Sequence, residues 1–144
     1  NDYVLKRQLK PEAPIKYTKI LKELEIIPTS MIDISDGLSS EILHISKSSS
    51  VGITIHENKI PIDYTVMNLA ADLNLNPILC ALSGGEDYEL LYTVSQEHYE
   101  KLKKDPDFTI IGFVNDKSEG NNFIVNDGSS HPITAQGWDA IKSK

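Results

Sequence analysis

The chain has little cysteine and no long apolar run. Its one cysteine, Cys80, has no partner for an internal disulfide, which excludes a small fold held together by disulfides. Cys80 lies in the apolar run PILCAL, so a buried and unreactive thiol is expected. No run approaches the roughly 18 apolar residues of a membrane helix, and no signal-peptide pattern starts the chain. These absences predict a cytoplasmic protein.

Positive charge is also scarce. The chain has 14 Lys and Arg against 21 Asp and Glu, which gives a formal net charge of -7. Binding to nucleic acid or to an anionic membrane needs clustered Lys and Arg, so neither partner is expected. A protein this acidic needs a metal ion or backbone N–H groups if it binds phosphates. Its 144 residues, of which 40% are hydrophobic, are enough for one domain with a core.

Helix and strand patterns alternate along the chain. Apolar residues recur at helical spacing in the stretches 17–24, 38–45 and 66–73. Short runs rich in β-branched or aromatic residues predict strands at 51–56, 88–94 and 108–114. Asn126-Asp127-Gly128 predicts a turn between two further strands. The interleaved elements predict the α/β or α+β class, with a mixed β-sheet flanked by helices.

The segment MIDISDGLSSEIL, residues 31–43, places two acids around a serine just before a predicted helix. A short apolar run ends in Asp33, and Ser35 and Asp36 follow before an amphipathic helix. A strand that ends at Asp33 places its carboxylate at a sheet edge, where α/β proteins commonly bind ligands. Paired carboxylates repel unless a cation such as Mg²⁺ lies between them. Ser35 or Asp36 could instead cap the helix, and the pattern alone leaves both interpretations open.

A second segment, ALSGGEDYELLYTV at 81–94, combines glycines with acids. Gly84-Gly85 allows a sharp turn or a close approach to a ligand. Glu86 and Asp87 then form another acid pair ahead of a strand. The segment is no Walker loop, because it lacks the G-K-[ST] signature. Taken alone, it is typical of a solvated turn.

Together the two segments resemble one family. SMIDISDGLSSEILHI and ALSGGEDYELLYTV, about fifty residues apart, resemble motifs in the C-terminal half of bacterial thiamine-monophosphate kinase. The lead-in RQLKPEAP, the stretch FTIIGFV and the late GWD resemble further parts of that half. The family belongs to the superfamily of aminoimidazole ribonucleotide synthetase. The resemblance therefore implies a fold like the C-terminal domain of that synthetase, a mixed β-sheet flanked by helices.

The same resemblance implies a domain division. Residues 1–14 contain two prolines and few apolar residues, and are expected to be a linker or arm from a missing N-terminal domain. Residues 15–144 are expected to form the C-terminal domain with part of the substrate and nucleotide site. The family also implies a homodimer for the intact protein. Because other metal ligands would lie on the absent half, the isolated chain is expected to show no turnover.

The family's activity implies roles for single residues. Its members transfer the γ-phosphoryl group of ATP to thiamine monophosphate, giving thiamine diphosphate with Mg²⁺. The resemblance assigns Asp33 and Asp36 to Mg²⁺ and Ser35 to the ATP phosphates. It assigns Glu86 to the thiamine substrate and Trp138 to the thiamine ring. No residue is assigned as a catalytic acid, base or nucleophile, since positioning and charge neutralisation dominate phosphoryl transfer.

Two departures from the family pattern limit these assignments. The family often has an arginine after the lead-in, where this chain has Pro14 and Lys16. Ala140 and Ile141 stand where the family commonly continues with His and Phe, so Trp138 could instead anchor the tail on the core. Two other functions remain open at this point: another ATP-using synthetase of the same superfamily, and a non-catalytic binding or assembly module.

Overall fold

The computed structural model of the chain describes residues 2–10, 12–85 and 88–138. The helices in these residues are α1 Asp2–Leu9, α2 Ile15–Glu23, α3 Leu38–Ser49, α4 Tyr64–Asp72, α5 Pro77–Ser83 and α6 Tyr99–Leu102. The strands are β1 Ser30–Asp33, β2 Gly52–His56, β3 Leu90–Thr93, β4 Gly112–Asn115, β5 Asn121–Ile124, β6 Ser130–Thr134 and β7 Gly137–Trp138. Single turns of 3-10 helix lie at Glu57–Lys59, Gln96–His98 and Lys117–Glu119. A search of the described helices finds none long and apolar enough to cross a membrane.

The strands form two sheets. In the first sheet, β1 and β3 pair antiparallel, with Asp33 opposite Leu90. In the second sheet the strand order is β4-β2-β5-β6-β7. There β2 and β5 run parallel, and the other neighbours run antiparallel. This mixed pairing, with helices flanking the sheets, confirms the predicted fold class.

Helix α3 joins the two sheets into one core. It contacts β1 of the first sheet and β2, β5 and β6 of the second. Leu38, Ile42 and Ile45 share the predicted helical face and are buried. They belong to one apolar cluster with Ile55 and Phe123 of the second sheet. Burying each such side chain stabilises the fold by about 1.5–3 kcal/mol. Because this face packs on both sheets, it fixes the position of α3 relative to β1.

Two expectations from the sequence are wrong in detail. Cys80 is exposed, because Leu82, two residues further on and on the opposite face of α5, packs into the core. The strand predicted at 108–114 begins only at Gly112 and ends at Asn115. The preceding residues instead supply Phe108 and Ile110 to a second apolar cluster around α2. Both differences depend on which surface covers a segment, and local composition does not contain that information.

The N-terminal stretch contains regular structure. Helix α1 occupies part of the segment 1–14 that the sequence predicts as a linker or arm. The guanidinium group of Arg7 forms an ion pair with the carboxylate of Glu89, just ahead of β3. The helix therefore contacts the segment that enters β3. The division of the chain at residue 14 stays a prediction.

Candidate functional site

The first motif lies at the junction between β1 and α3. Strand β1 ends at Asp33, as predicted, and the chain turns through 34–37 into the helix. The N–H of Ile34 donates to the Glu89 carbonyl, and the N–H of Tyr88 donates to the Ile34 carbonyl, both at 2.8 Å. These bonds continue the antiparallel pairing past the end of β1. They hold the start of the 34–37 loop against the segment that enters β3.

The second motif packs directly on the first. A Cβ added at Gly85 would lie 2.5 Å from the Ser35 carbonyl oxygen. A Cβ added at Gly37 would lie 2.7 Å from the Leu82 carbonyl oxygen, and Gly37 also has a positive φ of 107°. Only glycine permits such close backbone approach and such a φ. The two glycines therefore allow residues 33–37, here called the acid loop, to pack against the Gly84-Gly85 segment.

The acids of the first motif face outwards. Asp33 and Asp36 are exposed, and Ser35 is half-buried. Within the described part of the chain, neither Asp carboxylate accepts a hydrogen bond or forms an ion pair. Two exposed carboxylates three residues apart, without an internal partner among the described residues, suit a hard cation.

The donor set fits Mg²⁺ better than a cation that needs a complete protein cage. Among residues 2–10, 12–85 and 88–138, no three His, Cys, Asp or Glu side chains are grouped so as to hold a metal ion. Mg²⁺ is usually bound by one or two carboxylates, with waters and substrate phosphates as its other ligands. Asp33 and Asp36 could therefore hold Mg²⁺ here, with phosphate oxygens and water as its other ligands.

A carboxylate that our sequence reasoning missed lies beneath this loop. Glu41, in the first turn of α3, is only 2% exposed. Its Oε1 accepts hydrogen bonds from the Asp36 backbone N–H at 3.2 Å and from Ser35 Oγ at 3.4 Å. The sequence did contain a signal, because Leu38, Glu41, Ile42 and Ile45 follow the i, i+3, i+4, i+7 spacing of one helix face. An acid on an otherwise apolar face is unusual enough to single out.

The helix-capping interpretation of Ser35 and Asp36 is wrong. The N-cap residue of α3 is Gly37, and no side chain makes a capping bond there. Glu41 instead reaches back from inside the helix to the N–H of Asp36. The side chains of Ser35 and Asp36 are therefore not used to start the helix, which favours the ligand-binding interpretation.

A cleft of about 1390 Å³ opens beside the second motif. Its wall includes Ile34, Gly84 and Gly85, and the paired side chains of Arg7 and Glu89. The remaining wall is mostly apolar and comes from α3, β2 and β3 and from residues 59–66 and 106–114, so the cleft reaches the core between the sheets. Small-molecule sites typically combine such apolar walls with a few polar groups. The cleft is thus a candidate site for an organic substrate next to the acid loop.

The structure brings together three of the five predicted site residues. Asp33 ends β1, and Ser35 and Asp36 follow on the loop that Gly85 approaches. Glu86 lies outside the described residues. The backbone of Trp138, in β7, pairs with that of Ile133 in β6. Strand β7 contacts α5, the helix that leads into Gly84. The side chain of Trp138 lies outside the description, so its role and that of Glu86 stay predictions.

Known proteins resemble the chain over most of its length. No protein-family model matches it. The thiamine-monophosphate kinase of Pyrococcus horikoshii is 39% identical over 120 residues, which cover 83% of this chain and 36% of that protein. The crystal structure of thiamine monophosphate kinase from Aquifex aeolicus matches with a TM-score of 0.71 and 33% identity, covering 88% of this chain and 40% of that one. A structure of AaThiL complexed with AMPPCP and TMP gives a TM-score of 0.73 and 32% identity, covering 96% and 41%.

These similarities agree with the motifs and with the fold. The chain spans about 40% of the length of the relatives it matches, and the matched part is their C-terminal portion. The structural neighbours share the fold of aminoimidazole ribonucleotide synthetase that the resemblance implied. Over the residues that it matches, the chain belongs to the thiamine-monophosphate kinase family.

Proposed function

We propose that this chain is the C-terminal part of a kinase that transfers the γ-phosphoryl group of ATP to thiamine monophosphate. The observation that carries the proposal is the contact between the two motifs, where Gly85 meets the backbone of Ser35 beside two exposed acids. The relative complexed with AMPPCP, an ATP analogue, and TMP supports ATP and thiamine monophosphate as the two substrates. Thiamine diphosphate and ADP would be the products.

In this proposal Asp33 and Asp36 bind Mg²⁺, and Ser35 binds the ATP phosphates. The exposure of both acids supports this role, as does the absence of an internal partner in the described residues. When bound, Mg²⁺ neutralises charge on the phosphates during transfer. The loop residues position that charge, and the backbone bonds at Ile34 fix the loop relative to β3.

The proposed reaction needs no general base from this chain. An oxygen of the acceptor monophosphate forms a bond to the γ-phosphorus while the bond to the β-phosphate oxygen of ATP breaks, and ADP leaves. The acceptor oxygen is already ionised near neutral pH, because the second pKa of a phosphate monoester is about 6. The task of the protein is therefore to align two phosphates and to offset their repulsion.

We also propose that Glu86 and Trp138 contact the thiamine group. A carboxylate at position 86 would lie favourably opposite the cationic thiazolium ring. An aromatic side chain at 138 would offer its face to the same cation. Position supports both roles: Glu86 follows Gly85 directly, and β7 contacts the helix that leads into Gly84.

The remaining proposals concern the whole protein. The chain spans about 40% of the length of its relatives, and its described residues offer two carboxylates to the metal. We therefore expect further metal ligands, and the homodimer surface, in the part of those relatives that the chain does not match. The isolated chain should then show no turnover. A cytoplasmic location stays a prediction.

Substitution of the acids in the full-length protein tests the proposed function. We expect Asp36→Asn to raise the Mg²⁺ concentration for half-maximal activity at least tenfold, because the metal loses one of its two proposed carboxylate ligands. Asp72→Asn is the matched control, since Asp72 is another exposed acid but lies at the end of α4. Unchanged Mg²⁺ dependence and nucleotide affinity in Asp33→Asn and Asp36→Asn would favour a non-catalytic module instead.

A further inference from the structure

We infer that Glu41 is a positioning residue that fixes the backbone at Asp36, and with it the loop that binds magnesium and nucleotide. The inference rests on the proposed function of Ser35 and Asp36. Glu41 belongs to the helix rather than to the loop, and it is buried, so it touches neither metal nor substrate itself. It acts through the two neighbouring residues that donate hydrogen bonds to it.

The hydrogen-bond geometry shows how one side chain controls the loop. A single oxygen of Glu41 accepts from the Asp36 backbone N–H at 3.2 Å and from the Ser35 hydroxyl at 3.4 Å. The first bond fixes the peptide unit from which the Asp36 carboxylate projects. The acceptor is a carboxylate, so this bond is charge-assisted, although its 3.2 Å length lies at the long end of the N–H···O range.

The two bonds differ in how easily they can be exchanged. At 3.4 Å the bond from Ser35 Oγ is weak, and a hydroxyl has one proton to donate. The Ser35 hydroxyl can therefore turn its proton to a phosphate oxygen when nucleotide binds. The Asp36 N–H keeps its bond to Glu41 meanwhile, so the loop retains its shape during this exchange.

Stability alone does not account for an acid at this position. Leu38, Ile42 and Ile45 on the same face are all buried and apolar. Within the described residues, no Lys, Arg or His forms an ion pair with Glu41. The positive end of the helix dipole offsets part of the desolvation cost, but an apolar side chain here would avoid that cost altogether. The acid is therefore best explained by the loop that it holds.

Two substitutions in the full-length protein test the inference. Glu41→Gln keeps the shape of the side chain and weakens the acceptor, whereas Glu41→Leu removes the acceptor and completes the apolar face. We expect both to raise the Mg²⁺ concentration for half-maximal activity about tenfold, with KM for thiamine monophosphate unchanged. We expect the Glu41→Leu variant to have a thermal unfolding midpoint (Tm) equal to that of the wild-type protein or higher. A purely structural role predicts the opposite pairing, namely lower stability and unchanged Mg²⁺ dependence.

Glu57→Gln is the matched control. The Glu57 carboxylate also accepts a backbone N–H bond, from Asn126 at 2.7 Å, but it does so beside the second sheet. Its substitution should leave the Mg²⁺ dependence unchanged. If Asp36→Asn raises the Mg²⁺ requirement and both Glu41 variants leave it unchanged, the positioning role is refuted and the proposed function stands. If Asp36→Asn also changes nothing, the magnesium site itself is wrong, and the inference fails with it.

Discussion

The contact between the two motifs makes Gly85→Ala the most informative single substitution. Its added Cβ would lie 2.5 Å from the Ser35 carbonyl oxygen, and that oxygen belongs to the backbone, so no side chain can turn away. A carbon–oxygen contact is ordinarily about 3.3 Å or longer, so the two loops would have to separate by about 0.8 Å. Overpacking of this kind typically costs about 1–3 kcal/mol of folding stability.

The expected loss of activity is larger than the loss of stability suggests. A shift of about 1 Å in the relative position of reacting groups can reduce the rate about 100-fold. We therefore expect Gly85→Ala to lower kcat/KM for thiamine diphosphate formation by about 10- to 100-fold in the full-length protein. The assay follows ADP release at saturating Mg²⁺, together with thermal unfolding of each variant.

Gly128→Ala provides the matched control for stability. Gly128 has a positive φ of 86°, and an added Cβ there would meet nothing within 4 Å. Alanine at this turn costs about 1–2 kcal/mol through backbone strain alone, without disturbing either motif. We expect similar destabilisation in the two variants and a kinetic defect in Gly85→Ala alone. Wild-type kinetics in Gly85→Ala, or equal kinetic losses in both variants, would refute the packing of the motifs as a condition for activity.

Two further predictions concern the core and the pH dependence of stability. Ile42 is 1% exposed and lies between the two sheets, so Ile42→Ala should reduce the free energy of unfolding by about 2–5 kcal/mol in urea denaturation. Ile27 is 83% exposed, so Ile27→Ala should change that free energy by less than about 0.5 kcal/mol. Similar losses at both positions would contradict the assignment of the core. Burial, with a smaller contribution from Asp105, raises the pKa of Tyr92 from 10.0 to about 12. As pH rises, Tyr92 therefore loses its proton in the unfolded chain at a lower pH than in the folded chain. The free energy of unfolding should then fall between pH 10.0 and about 12, and Tyr92→Phe should remove that part of the decline.

Local patterns predicted a large part of the fold. The end of β1 at Asp33 and the buried face of α3 follow from short-range features, namely an apolar run that meets an acid and a 3.6-residue period. The turn at Asn126-Asp127-Gly128 likewise connects β5 and β6 as expected. Such features depend on residues close together in the chain, so they can be read without knowing what packs against them. The motifs also identified the family, which the comparisons confirm.

The tertiary structure decided what those local elements face. The exposure of Cys80 and the short extent of β4 depend on which surfaces cover them. The approach of Gly85 to Ser35 joins segments about fifty residues apart, and chain-local patterns carry no information about such a contact. Glu41 shows the same limit, because its spacing marks it as inward-facing, but only the folded loop shows what it holds. The sequence determined by itself where most elements lie and which residue types the acid loop carries. Long-range packing decided that this loop lies against the glycine segment and over a buried carboxylate, because burial and close contact depend on distant parts of the chain.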